Sequence, residues 1–560
     1  MRKKIADFLY SLFMREENKY RFFLFLLIAA FAVRLPTLFN DFYDVDELSA
    51  IVQTKEWLLG YIPGIEFSES KLPLYHALFK ISYLISPSHG WVIVHLITIV
   101  IIFLTSLCIY SYAKRIKNHT TGAVAALLYA VLISSFNRHF MATNGEIIYN
   151  LPVTAGALFF ISLIESKKPV HRVLFFLLAA ASLAASLNVK FHGVILLIFI
   201  AAVIVFYYPV HMRVFRKVMT VYIILGIILL GVYVIDINFT HYFADQLSML
   251  IKTKLFYATE ARSKSPLFLA AIFSYRQLTL LLWHFIIWIP GFILLFHLLR
   301  SRFRDNNFAL GTAASLFILT FLMVFGGGAR VYYHYFMAAY PSLCILAAVA
   351  LTGSYGTFVP KIARKGILIT LIPVTFFFTW NVKDIIIKHF APSAFYNEGS
   401  MLFWFRAVVV SSVNDYLLPN ESYINTVDYI RKTTSPDDTI FVWGDGPQLY
   451  YFSDRRIAVK HVWPKNAAIR IQSAYKSKTD TSLAKARSIE NEFVRIMEKK
   501  KPALVIDTSP KGLFFGVTKF GEFAKYPYPF PPLIKAYISD NYVNETKIDG
   551  FTIYRRRQIK

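Results

Sequence analysis

Residues 90–117 read GWVIVHLITIVIIFLTSLCIYSYAKRIK, with no Asp, Glu, Lys or Arg before Lys114 and three basic residues from Lys114 to Lys117. About 18 or more apolar residues suffice to cross a bilayer as a helix, and basic residues gather in cytoplasmic loops. The stretch therefore reads as a membrane span ending inside. Comparable apolar stretches lie near 20–39, 120–136, 147–164, 170–188, 190–208, 214–235, 277–299, 307–325, 332–352 and 366–380, so that with 90–112 eleven spans are expected. Composition agrees: 56% hydrophobic, 17% charged and a mean hydropathy of +0.49. A soluble chain carries about 25% charged residues, so the excess apolar surface needs lipid. Cys108 and Cys344 stand far apart in apolar runs, which excludes a disulfide framework and a CxxC metal site.

The short connections set the topology. Clusters of three basic residues recur at Lys114, Arg115, Lys117; Lys167, Lys168, Arg172; Arg213, Arg216, Lys217; Arg300, Arg302, Arg304; and Lys361, Arg364, Lys365. The alternate turns hold one each, Arg138, Lys190 and Arg330. The net charge of +26 thus records orientation and not a nucleic-acid partner. The N-terminus is expected inside, with the first apolar run retained as an anchor, and the C-terminus outside.

Three pieces then face outward: 40–89, 236–276 and the tail from about 381. The first is expected to hold a helix from Leu48 to Leu59 and an interfacial amphipathic helix from Leu74 to Ile85. In the tail, 423–434 and 481–500 read as helices and 439–443, 503–507 and 551–554 as strands, a small α/β domain of roughly 130 residues. The expected fold is a polytopic α-helical membrane protein, residues 1–380, followed by this extracytoplasmic domain within 381–560.

Acids are scarce in the spans, so those at the outer edge stand out. The first loop opens Asp41-Phe42-Tyr43-Asp44-Val45-Asp46-Glu47. A helix N-terminus attracts carboxylates by its unpaired amides, which accounts for one or two of the four; clustered carboxylates at a membrane edge also fit acid–base chemistry. Glu146 stands where the fourth span begins and has the same capping alternative. Lys190 marks the tip of a hairpin, where a lysine can simply reach out to water. The turn from Gly326 to Tyr335 combines three glycines with Arg330, Tyr333, His334 and Tyr335; an interfacial aromatic belt is its plainer reading.

These motifs together resemble the GT-C class of membrane glycosyltransferases, near the protein O-mannosyltransferases and the lipid A aminoarabinose transferase. The likeness rests on the Asp46-Glu47 pair, Lys71-Leu72-Pro73-Leu74, the acid Glu146, Lys190 at the hairpin tip, and Arg330 to Tyr335 running into Tyr340-Pro341-Ser342-Leu343. In the tail, Phe441-Val442-Trp443-Gly444 and Leu449-Tyr450-Tyr451 add to it. The resemblance implies a GT-C-like fold and a sugar donor on polyprenyl phosphate, used at the outer face of the cytoplasmic membrane on a glycan, lipid or protein acceptor. It implies Asp46 as base with Glu47 or Glu146 assisting, and an extra Asp44 that competes for the role. Lys71, Lys190, Arg330, Tyr333, His334 and Tyr335 are implied as substrate contacts. No cofactor, metal or nucleic acid is expected. A transporter or flippase, and a ligase using pyrophosphate-linked donors, are the rival readings; the first calls for ionisable residues at mid-membrane.

Overall fold

The computed structural model describes residues 15–38, 42–61, 72–134, 138–207, 284–301, 307–325, 333–353, 423–444, 446–459, 479–509, 515–518, 522–525 and 529–558, with Ser11 and a few positions at 273–281 and 464–475. The expected spans at 214–235 and 366–380, the loop 236–276, Lys71 and Arg330 lie outside the described residues.

Six described segments are long and apolar enough to cross a membrane: Glu16–Leu38, Gly90–Ile116, Gly145–Glu165, Pro169–Val189, Phe308–Phe325 and Tyr333–Thr352. Their helices, with the shorter apolar ones between them, are α1 (Lys19–Arg34), α4 (Gly90–Ile116), α5 (His119–Leu132), α6 (Gly145–Glu165), α7 (Pro169–Val189), α8 (Val194–Tyr207), α9 (Phe285–Arg300), α10 (Phe308–Leu322) and α11 (Tyr340–Thr352). The first loop supplies α2 (Val45–Leu58) and α3 (Pro73–Ile85), within a few residues of expectation. Leu24, Ile28, Phe31, Val173, Leu177 and Phe296 remain exposed, the lipid-facing surface of a multi-pass membrane protein. Pro169 opens α7 at a position where its missing N–H costs nothing.

The expected tight hairpin is present: α7 ends at Val189, Lys190 caps it, and α8 starts at Val194. Gly193 is required there, because a Cβ would sit 2.3 Å from the Ser186 carbonyl carbon.

Polar contacts sort the bundle into two ends. At one, Lys117 Nζ donates to the Thr352 carbonyl at 2.7 Å, Asn307 to the Ile116 carbonyl at 3.0 Å, and Arg115 pairs with Glu165 at 3.1 Å. At the other, Tyr75 donates to the Thr143 carbonyl at 3.0 Å and Thr98 bonds Thr143 at 2.9 Å. Among the described residues, the basic connections at 114–117 and 165–172 thus share an end, opposite the acids of the first loop.

The tail contains α12 (Ile424–Thr433), β1 (Thr439–Trp443), α13 (Gln448–Ser453), β2 (Arg456–Ile457), α14 (Asp480–Lys500), β3 (Leu504–Asp507), a hairpin β4 (Phe515–Thr518) and β5 (Glu522–Lys525), α15 (Pro532–Asn541), β6 (Tyr542–Ile548) and β7 (Phe551–Arg556). The main sheet runs β2-β1-β3-β7-β6, parallel between β2, β1 and β3 and antiparallel thereafter. Alternation along β1 divides the core. Phe441 and Trp443 pack with Phe493, Met497 and Ile538, while Ile440 and Val442 join a cluster continuous with the membrane helices.

Candidate active site

The sequence Asp44-Val45-Asp46-Glu47 starts α2 in a definite way. Asp44 is its N-cap: extended at φ −144°, it accepts the Asp46 amide at 3.1 Å through Oδ1. Its other oxygen takes a close hydrogen bond from Nδ1 of His139, on the single turn Arg138–Met141. Burial pushes the Asp44 carboxyl up. The charge and bond of His139, the charge of His334 and the Asp46 amide outweigh that and hold it well below the usual carboxylate range.

Glu47, at the third position of the helix, is fully buried. Its Oε1 meets His95 Nε2 at 2.7 Å and accepts the Thr143 amide at 3.0 Å; Oε2 accepts the Tyr43 amide at 3.1 Å. His95 is fixed in turn by donating Nδ1–H to the Thr37 carbonyl at 2.6 Å. Burial raises the Glu47 carboxyl, but His95 and the two amides bring it below its ordinary value. Every contact of Glu47 is thus with protein that positions α2. Asp46, one residue earlier, is half-buried and presents the more accessible carboxylate.

Arg34 locks the second outer turn to the end of α1. Buried at the end of α1, it donates to Ser134 Oγ at 3.4 Å and to the Phe140 carbonyl at 3.3 Å, with a closer bond to the Met141 carbonyl. His139 is thereby held against Asp44. The turn Tyr333–Ala339 is tied down by Asn150, which donates to the Met337 carbonyl at 3.0 Å.

That turn links two halves of the site. The His139 and His334 rings are 5.4 Å apart, and those of His334 and Tyr335 4.6 Å. Lys190 lies 5.1 Å from the Tyr335 ring centre, within cation–π range, and forms a close ion pair with Glu146 in the first turn of α6. Glu146, Tyr149, Lys190, His192, Met323 and Tyr335 line one cleft. Tyr333 is buried beside it in sequence and lines no part of that cleft. Asp44, Glu146, Lys190 and His334, chosen from four separate stretches, thus converge with Tyr335 at the end opposite the described basic connections, and Asp46 stands two residues beyond Asp44 on α2.

Sequence reasoning does not pick out His139, His95 or Arg34 as site residues. His95 and Arg34 are lone polar residues in apolar runs, His139 is one of several polar residues in its turn, and the partner of each lies far along the chain. Asp44, His139 and His334 each offer a ligand atom, all within 4.8 Å of one another, a set able to hold a metal ion. The absence of an HxH pattern concealed it, since three segments contribute one residue each.

A helical bundle with its charged site gathered at one end, joined to a small mixed sheet domain, has the architecture of the GT-C membrane glycosyltransferases. Comparison with known proteins bears out that resemblance. Residues 70–235 match the family model described as dolichyl-phosphate-mannose-protein mannosyltransferase. The crystal structure of ArnT from Cupriavidus metallidurans bound to undecaprenyl phosphate aligns with a TM-score of 0.57 at 14% identity, over 96% of this chain and 98% of that one. An oligosaccharyltransferase of Archaeoglobus fulgidus, crystallised with Zn and sulfate, aligns with a TM-score of 0.52 at 10% identity, over 88% of this chain and 68% of that one. No curated protein matches by sequence. At these identities the structural likeness is one of fold.

Proposed function

We propose that the protein is an inverting glycosyltransferase that moves a sugar from a polyprenyl-phosphate donor to an acceptor at the outer face of the cytoplasmic membrane. The observation that carries this reading is the convergence of Asp44, Glu146, Lys190 and His334 at the end of the bundle opposite the described basic connections, with Asp46 two residues from Asp44. The undecaprenyl phosphate bound by ArnT, and the dolichol phosphate bound by AglB of Archaeoglobus fulgidus, support this donor class.

Asp46 takes the proton of the acceptor hydroxyl as its oxygen attacks the anomeric carbon. The bond to phosphate oxygen breaks with its electron pair, and the configuration inverts. Polyprenyl phosphate leaves with its negative charge stabilised by fixed donors. Lys190 is the described candidate for that charge, with Arg330 and Lys71 proposed beside it from the sequence. In the absence of donor Lys190 is held by Glu146, so the phosphate displaces one anion with another. Tyr335 and His334 border the same space, and Glu47 serves by fixing α2. The chain's 381–560 segment, including the sheet domain, is proposed to lie on the same outer side, with the acceptor as glycan, lipid or protein.

The test is to incubate membranes containing the protein with labelled polyprenyl-phosphate sugars and follow the label. Transfer of one sugar onto an endogenous acceptor is the expected result. Movement of a lipid-linked glycan across vesicles with no transfer would establish the flippase alternative, and use of pyrophosphate-linked donors alone the ligase.

A further inference from the structure

The tail domain grips α2 at both ends. Near its start, the Phe42 ring meets those of Tyr451 and Phe452 on α13, at 5.5 and 6.2 Å. Tyr451 also donates to the Pro87 carbonyl at 2.8 Å. Near its end, the buried Lys55 pairs with Asp454 at 2.7 Å and reaches the Arg455 carbonyl at 3.3 Å. Glu56, fully buried, accepts the Ile457 amide at 3.1 Å through Oε1, while Oε2 has no hydrogen-bond partner. Beyond the helix, Lys500 lies 4.3 Å from the Tyr61 ring centre and donates to its hydroxyl at 3.2 Å, and Arg456 donates to the Leu59 carbonyl at 3.3 Å.

We propose that the tail domain is a positioning element for the reacting carboxylate, clasping the helix that carries Asp46, and that ionisation of Glu56 loosens the clasp as pH rises. An unpaired carboxylate oxygen enclosed at a docking surface is costly when charged and tolerable when protonated. The charged and titratable groups that face Glu56 among the described residues are Lys55 on its own helix, Tyr83 of α3, Tyr450 of α13, Arg456 of β2 and Lys500 of α14. Lys55 is already engaged by Asp454. Burial therefore prevails over the cations and pushes the carboxyl up to about 7 from an ordinary 4.5. Docked protein then holds a proton that undocked protein releases. Docking is strongest in acid, weakens between about 4.5 and 7, and is constant above that window.

The clasp stands on contacts alone; its bearing on catalysis rests on the proposed role of Asp46. The test uses the full chain in lipid nanodiscs. Amide hydrogen exchange across residues 45–61, corrected for intrinsic pH effects, is compared at pH 5.5 and 8 in wild type and Glu56→Gln. Wild type is expected to lose protection on the order of tenfold at the higher pH, and Glu56→Gln to show no such loss. A wild type without pH dependence, or a Glu56→Gln protein that retains it, overturns the release of the clasp by Glu56. For positioning, Asp454→Ala is expected to reduce protection of α2 and to lower kcat by about tenfold or more with donor KM unchanged, Asp454→Glu restoring both. Tyr451→Phe, which removes only the hydroxyl and its bonds to the backbone at Pro87, Gly90 and Trp91, serves if Asp454→Ala does not fold. Lost protection with unchanged kcat overturns the positioning role. Exchange does not use the reaction, so it tests the clasp whether or not the donor assignment holds.

Discussion

The two ends of the helix bundle both pair acids with basic side chains, yet they differ in kind. At the basic end, Arg115 and Glu165 form an ion pair with side chains 34% and 45% exposed. At the other end, Glu47 with His95, Asp44 with His139 and Glu146 with Lys190 are largely enclosed. Exposed pairs gain little because water and salt screen them. Enclosed pairs have given up hydration and become costly to break. A bundle needs only the first kind to mark its basic end. The second kind gathers where α2, α6, α7 and the Tyr333–Ala339 turn meet, at the reaction centre proposed above.

The contrast can be broken pair by pair. Lys190→Ala is expected to cost the most, about 3–5 kcal/mol, because Glu146 is left buried without its cation. Thermal unfolding checks this, and donor affinity should fall with it. A Lys190→Met, Glu146→Gln double variant should regain most of the stability and none of the affinity. Full affinity in that variant would leave Lys190 as a structural lysine. Arg115→Ala, at the opposite end, is expected to shift stability by less than about 1 kcal/mol and leave transfer untouched. Chelation by EDTA is expected to change transfer least of all, since Asp44 and His139 satisfy each other by a hydrogen bond. Loss of activity restored by added zinc or manganese would instead make Asp44, His139 and His334 a working metal site. The ends themselves are checked by cysteine labelling at Lys71 and Lys361, which should react from opposite sides of the membrane.

Helix periodicity and the alternation of basic clusters made the bundle legible, and the Asp44–Glu47 run announced the start of α2. The strand Thr439–Trp443 and the helix near 481–500 were equally plain, because each carries its own local pattern. The partners of the acids were not. Asp44 and His139 are 95 residues apart, and Glu47 and His95 are separated by 48. A lone histidine in an apolar run gives no sign of which neighbour its ring faces. In the tail, β6 and α15 carry weak local signals. Glu545 and Lys547 give β6 a poor apolar alternation, and Pro532 opens a helix with only Ile534 and Ile538 deeply buried. The short helix α13 follows a Gly-Pro turn and is stabilised by packing on α2, which no local signal reports.

Single-turnover transfer with saturating labelled donor, comparing wild type with Asp46→Asn, bears most directly on the proposed chemistry. The substitution keeps size and hydrogen bonding and removes the proton acceptor, so donor binding should survive while transfer slows by about 100- to 10,000-fold. If Asp44→Asn alone produced that loss, the base would move two residues and the mechanism would stand. Near-normal transfer in both variants would contradict the account, leaving the carboxylates of the first loop as the cap of α2 and nothing more.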